Sequence, residues 1–148
     1  MLKFADKTEL DNVNFTRNQA TNNGGAIYVE GKNATISNST FNENSALKGG
    51  AIFISSDSAT GIQITRCTFN NNGYNSNKHY CKYGGAIYSE LNATIIDNCS
   101  FISNKAEILS EFNPSTIYTY DTAVYIRNSF FNNSKQSISS LFTKEFVD

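Results

Sequence analysis

The stretches "NNGGAIY" (22–28), "KGGAIF" (48–53) and "YGGAIY" (83–88) decide how this sequence is read. They place six of the nine glycines in three copies of one Gly-Gly pair, each running into Ala-Ile and an aromatic residue. A string this specific, recurring along one chain, is an internal repeat, and periods of roughly 20–50 residues mark solenoids and related arrays.

A second string keeps step with the first. "FTRN" (15–18), "FNEN" (41–44), "FNNN" (69–72) and "FISN" (101–104) follow one another at steps of 26, 28 and 32 residues. Five residues before each Phe stands an aliphatic residue: Leu10, Ile36, Ile64 and Ile96. The same rule finds Ile126 and Phe131, where Ser134 replaces the Asn, so a fifth, worn copy is present. Before it, "PSTIY" (114–118) stands in for "GGAIY" with both glycines lost.

Counted from each Phe, position −2 holds Val13, Ser39, Cys67, Cys99 and Ser129, small residues that share its parity. Position −1 is mostly polar. Alternation with period two means strand. The alternation breaks at position −3, which holds Asn12, Asn38, Arg66, Asn98 and Asn128. Asn tolerates left-handed backbone and bonds locally, so this position predicts a corner. The Asn three residues after each Phe (Asn18, Asn44, Asn72, Asn104) predicts a second corner. No helical period persists long enough to matter.

Short strands and corners in a repeat of 25–35 residues predict an all-β parallel solenoid of about five coils, stacked at about 4.8 Å per coil. Equivalent residues then form vertical columns: a Phe stack, an Ile stack and asparagine ladders whose amides bond along the stack. Each Gly pair leaves a corner, where positive φ and close approach of coils both favour glycine. Ile27, Ile52, Ile87 and Ile117 are expected to face the core, leaving Tyr28, Phe53, Tyr88 and Tyr118 as an outward aromatic column. The opposite parity is the alternative. The repeat phases fall near 4–18, 24–44, 49–72, 84–104 and 114–134 of a single segment, 1–148. An insertion occupies 73–83, and a last strand or cap occupies 138–148.

The pairing of GGA[ILV] with FxxN resembles the repeat signature of the chlamydial polymorphic outer membrane proteins and related adhesin-like repeats. It reads Gly24-Gly25-Ala26-Ile27 with Phe41 and Asn44, Gly49-Gly50-Ala51-Ile52 with Phe69 and Asn72, and Gly84-Gly85-Ala86-Ile87 with Phe101 and Asn104. The resemblance implies a right-handed parallel β-helix serving as a surface-exposed passenger, usually in adhesion. Its partner would be a glycan or protein of a host or neighbouring cell, and its location extracellular or at the cell surface, outer-membrane-associated in a bacterium. Members of that family begin with a signal peptide and end in a membrane β-barrel. "MLKFADKTEL" has no apolar signal core, no such barrel is recognisable, and the expectation is a segment of a longer solenoid. Its open strand edges are candidates for edge-to-edge self-association.

Composition narrows the classes further. The net charge is −1, with 17% charged residues, which gives no electrostatic footprint for nucleic acid. No apolar run is long enough to insert in a bilayer as a helix. Abundant Asn (21) and Ser (17) accompany 13% aromatics, which argues for a packed core over disorder.

Catalysis by a β-helix of the lyase or hydrolase kind needs clustered carboxylates. Only Asp11 and Asp97 share a register among the aspartates, three coils apart; Glu30 and Glu90 share another, two coil steps or about 10 Å apart. These are read as solvated side chains and the chain as non-enzymatic, with an eroded carbohydrate-active β-helix and a purely structural stalk as alternatives. No cofactor or metal is implied: His79 with Cys81 is two ligands, not four. In the insertion, His79 and Tyr80 are candidate ligand contacts beside the aromatic column. Cys67 and Cys99 occupy the same position in neighbouring coils, within disulfide reach. Reduced thiols filling the core are the alternative, and Cys81 is expected as a free loop thiol. Six N-x-[ST] sequons (Asn14, Asn33, Asn38, Asn92, Asn98, Asn132) are what so Asn-rich a composition produces by chance.

Overall fold

Short strands with alternating side chains build the described part of the molecule: one inward residue between two outward ones where Leu10, Ile36 or Phe41 sits, and two inward residues around one outward aromatic at Ile27–Val29. The computed structural model describes residues 1–55, 60–74, 81–90, 94–106, 116–120, 124–132, 138–140 and 146–147. Within them the chain forms seventeen strands and no helix, arranged as three parallel sheets.

Sheet A stacks β1 (Leu2–Phe4), β4 (Ile27–Val29), β7 (Ile52–Ile54), β10 (Ile87–Ser89), β13 (Ile117–Thr119) and β16 (Ile138–Ser140). Sheet B stacks β2 (Glu9–Asp11), β5 (Thr35–Ser37), β8 (Gln63–Thr65), β11 (Thr94–Asp97), β14 (Val124–Arg127) and β17 (Phe146–Val147). Sheet C stacks β3 (Asn14–Thr16), β6 (Thr40–Asn42), β9 (Thr68–Asn70), β12 (Ser100–Ile102) and β15 (Phe130–Asn132). The chain visits A, B and C in turn, so successive strands of one sheet are one coil apart.

The register follows the sequence columns. Ile27, Ile52, Ile87 and Ile117 are vertical neighbours in sheet A. Leu10, Ile36, Ile64, Ile96 and Ile126 are neighbours in sheet B. Phe15, Phe41, Phe69, Phe101 and Phe131 stack in sheet C with ring centroids 4.7–5.1 Å apart and planes within 9°. The inward Ile and Phe columns of the three sheets meet along the axis as one continuous core. Each fully buried Phe or Ile contributes about 2–3 kcal/mol by leaving water.

Corners are fixed by backbone conformation. Position −3 is left-handed in every copy, with φ of 48–55° at Asn12, Asn38, Arg66, Asn98 and Asn128. The second corner turns one residue earlier than the FxxN asparagine suggests, at Arg17, Glu43, Asn71 and Ser103 (φ 51–55°). A third left-handed column, Lys7, Asn33 and Gly61, separates sheets A and B.

The two glycines of each pair do different work. Gly24, Gly49 and Gly84 take φ of 59–63°, where a Cβ is penalised. Their partners meet the next coil: a Cβ on Gly50 would lie 2.1 Å from the Gly85 carbonyl oxygen.

Candidate functional site

The period of two that sends the sheet A isoleucines inward sends the next residue out. Tyr28, Phe53, Tyr88 and Tyr118 therefore stack on the opposite face, with centroids 5.1, 5.3 and 5.2 Å apart, as an apolar cluster separate from the core. The column is less open than its position on the outer face suggests. Phe53, Tyr88 and Tyr118 keep only 2%, 3% and 5% exposure, while Tyr28 is half-buried. A stacked ring loses both faces to its neighbours. Tyr83 then covers part of the remaining edge, T-shaped against Tyr88 at 6.2 Å and tilted on Tyr118 at 5.0 Å.

Charges line this face. Lys48 Nζ lies 5.0 Å from the Tyr88 ring centre and Lys3 Nζ 6.0 Å from that of Tyr28. The two same-register glutamates, expected as solvated side chains, are ion-paired to these lysines, Glu30 to Lys3 at 2.8 Å and Glu90 to Lys48 at 3.7 Å. Burial, reinforced by the Glu90 charge, pushes the Tyr88 phenol above its usual range, so it stays a neutral donor at physiological pH.

The insertion rejoins the solenoid beside this column. Residues 75–80, with the candidates His79 and Tyr80, lie outside the described residues. After them, Lys82 donates its N–H to the Leu47 carbonyl at 2.8 Å, and the Tyr83 carbonyl accepts from the Gly49 N–H at 2.9 Å. Cys81 departs from the expectation of a loop thiol: it is buried, its Sγ directed at the carbonyls of Tyr83 (3.2 Å) and Gly84 (3.4 Å). Burial raises this thiol to about 12. Tyr74, at the other end of the insertion, is 62% exposed.

The two asparagine columns serve different ends. Asn44, Asn72 and Asn104 are buried, and Asn18 starts the column at the first coil. Each Oδ1 from Asn44 to Asn104 accepts both the backbone N–H and the side-chain N–H of the asparagine one coil earlier, at 2.9–3.0 Å. The amide nitrogens of Asn44, Asn72 and Asn104 also donate to the carbonyls of Phe15, Phe41 and Phe69. At position −3 the exposed asparagines do not bond one another. Asn38 donates to Asp11 at 2.6 Å and accepts from Arg66 Nε at 2.8 Å; Asn128 donates to Asp97 at 2.9 Å.

A family model described as a right handed beta helix region matches residues 5–145, nearly the whole chain. The chain belongs to that family. No curated protein and no solved structure matches the chain.

The right-handed β-helix offers two further polar features. Thr65, Arg66, Asp97, Asn98 and Asn128 line a cavity of about 360 Å³ at the sheet B–C corner. Asp97 is held there by Asn128 and by Arg127 (3.3 Å). Among the described residues no group of three or more His, Cys, Asp or Glu could hold a metal ion.

Inside the β-helix, position −2 forms a column of its own. Ser39 Oγ accepts the Val13 N–H at 3.1 Å, Cys99 Sγ the Cys67 N–H at 3.4 Å, and Ser129 Oγ the Cys99 N–H at 3.2 Å. Cys67 and Cys99 are buried free thiols. They divide their ionisation: its contact with Cys67, then burial, raises Cys99 far above the usual range, while the contact with Cys99 lowers Cys67. The sequence shows position −2 as small residues with two cysteines in neighbouring coils; its hydrogen-bonding role shows once the coils are stacked.

Proposed function

We propose that this β-helix is a non-enzymatic, adhesin-like repeat segment of a cell-surface or secreted protein, of the kind represented by the polymorphic outer membrane proteins. It binds a glycan or protein of a host or neighbouring cell along the aromatic side of sheet A. The observation that carries this reading is the half-exposed Tyr28 at one end of a stacked aromatic column, flanked by the Lys3–Glu30 and Lys48–Glu90 pairs. The exposed edge of Tyr28, with a charged donor and acceptor beside it, suits a sugar ring or an extended peptide. The non-enzymatic part is supported by the carboxylates: Asp11, Glu30, Glu43, Glu90 and Asp97 are each held by a partner from another coil.

A glycan array and a cell-binding assay with the Tyr28→Ala/Lys3→Ala variant test the proposal. Binding is expected to fall at least tenfold with the circular dichroism spectrum unchanged. Undiminished binding would remove this face from the account. No binding by the parent chain would leave the second reading, a stalk, which the near-complete burial of Phe53, Tyr88 and Tyr118 favours.

A further inference from the structure

We infer that Cys67 and Cys99 are an oxidative cross-linking site, joined as a disulfide between adjacent coils when a disulfide oxidant is present. The inference is independent of what the solenoid binds.

Three observations carry it. First, the two residues are locked in register from both sides: the Arg66 N–H reaches the Asp97 carbonyl at 3.0 Å, and the Ser100 N–H reaches the Cys67 carbonyl at 2.9 Å. One coil step of about 4.8 Å between their Cα atoms lies within the span a disulfide bridges. Second, nothing else at this position calls for sulfur. Ser39 and Ser129 satisfy the backbone N–H of the preceding coil from the same site, and a hydroxyl is the better acceptor. Both thiols nevertheless fall in consecutive coils, the one arrangement in this column that lets them react with each other. Third, the coil between them is the longest, 32 residues from Cys67 to Cys99 against 26 and 28 for the two before it, because it carries the insertion. Closing the longest loop costs the most chain entropy, and a cross-link removes most where that cost is largest.

The chemistry balances with glutathione disulfide as oxidant. The thiolate of one cysteine attacks one sulfur and releases glutathione thiolate; the thiolate of the other then displaces the second glutathione. One S–S bond forms and one breaks, two thiol protons pass to the two glutathiones, and the electron pair reduces the oxidant. Cys81 stands apart, buried and protonated well above neutral pH.

The test is to hold the folded chain, and separately a chain refolded from urea, in glutathione disulfide and glutathione at pH 8. Samples are quenched in acid, alkylated in denaturant and mapped without reduction. The expected result from both routes is a chain about 2 Da lighter, a linked peptide pair containing Cys67 and Cys99, and alkylated Cys81. A Cys81→Ser chain should give the same linked pair. The refolded sample removes slow access to buried thiols as an explanation for failure. Recovery of Cys67 and Cys99 as alkylated monomers after refolding, or pairing of either with Cys81, would overturn the inference.

Discussion

Two asparagine columns run through this solenoid, and residue type alone does not tell them apart. Asn44, Asn72 and Asn104 lie buried behind the Phe stack and bond to one another and to the coil before them. Asn12, Asn38, Asn98 and Asn128 lie exposed at the opposite end of the same sheet C strands, in left-handed backbone. The first column uses the asparagine side chain for its two-way hydrogen bonding. The second uses asparagine for its backbone tolerance, which is why Arg66 can take a place in it (φ 49°). A repeat residue can be retained for its amide or for its φ, and the two uses predict different mutational behaviour.

The largest effect is expected from Asn72→Ala. It strips partners from the Asn44 backbone and side-chain N–H groups and from the Phe41 carbonyl, all in the interior. Unsatisfied buried groups of this kind cost about 1–3 kcal/mol each, so a loss on the order of 4 kcal/mol is expected in urea denaturation. A loss below about 1 kcal/mol would erase the distinction between the columns. Asn98→Ala, in the exposed column, removes no hydrogen bond that braces the corner but replaces asparagine, which tolerates φ 53°, with a residue that pays the left-handed penalty more fully, and should cost about 1 kcal/mol. Smallest of all is Asn98→Gly, which relieves the same strain and should sit within a few tenths of a kcal/mol of the parent. If Asn98→Gly proved as damaging as Asn72→Ala, the side chain and not the backbone would be what the corner needs.

The columns of Phe, Ile and Gly were legible because each carries one residue type through three or more copies. The Phe15-to-Phe131 and Leu10-to-Ile126 registers emerge from counting alone, since a packed core accepts few shapes. The split role of the Gly pair was legible in kind, and the structure assigns positive φ to the first glycine and close approach to the second. The left-handed column Arg17, Glu43, Asn71 and Ser103 was not, because its requirement falls on the backbone and its exposed side chains share no chemistry. Position −8 (Lys7, Asn33, Gly61) was hidden for the same reason. At the aromatic face the alternation placed the rings outward. Their burial depends on stacking and on Tyr83, which lies outside the repeat and arrives through the insertion. Cys81 escaped in the same way: its partners, the Tyr83 and Gly84 carbonyls, become its surroundings only when the insertion rejoins sheet A.

Coil-on-coil registration underlies the ladder, the aromatic face and the cysteine pair alike. Spin labels in a cysteine-free background, placed on Asn14 with Thr40, Thr68 or Ser100 in turn, measure it directly. The separations should lengthen in equal steps of about 4.8 Å per coil. Separations that fail to grow in this order, or a Ser100 label nearer to Asn14 than the Thr40 label is, would contradict the stacking.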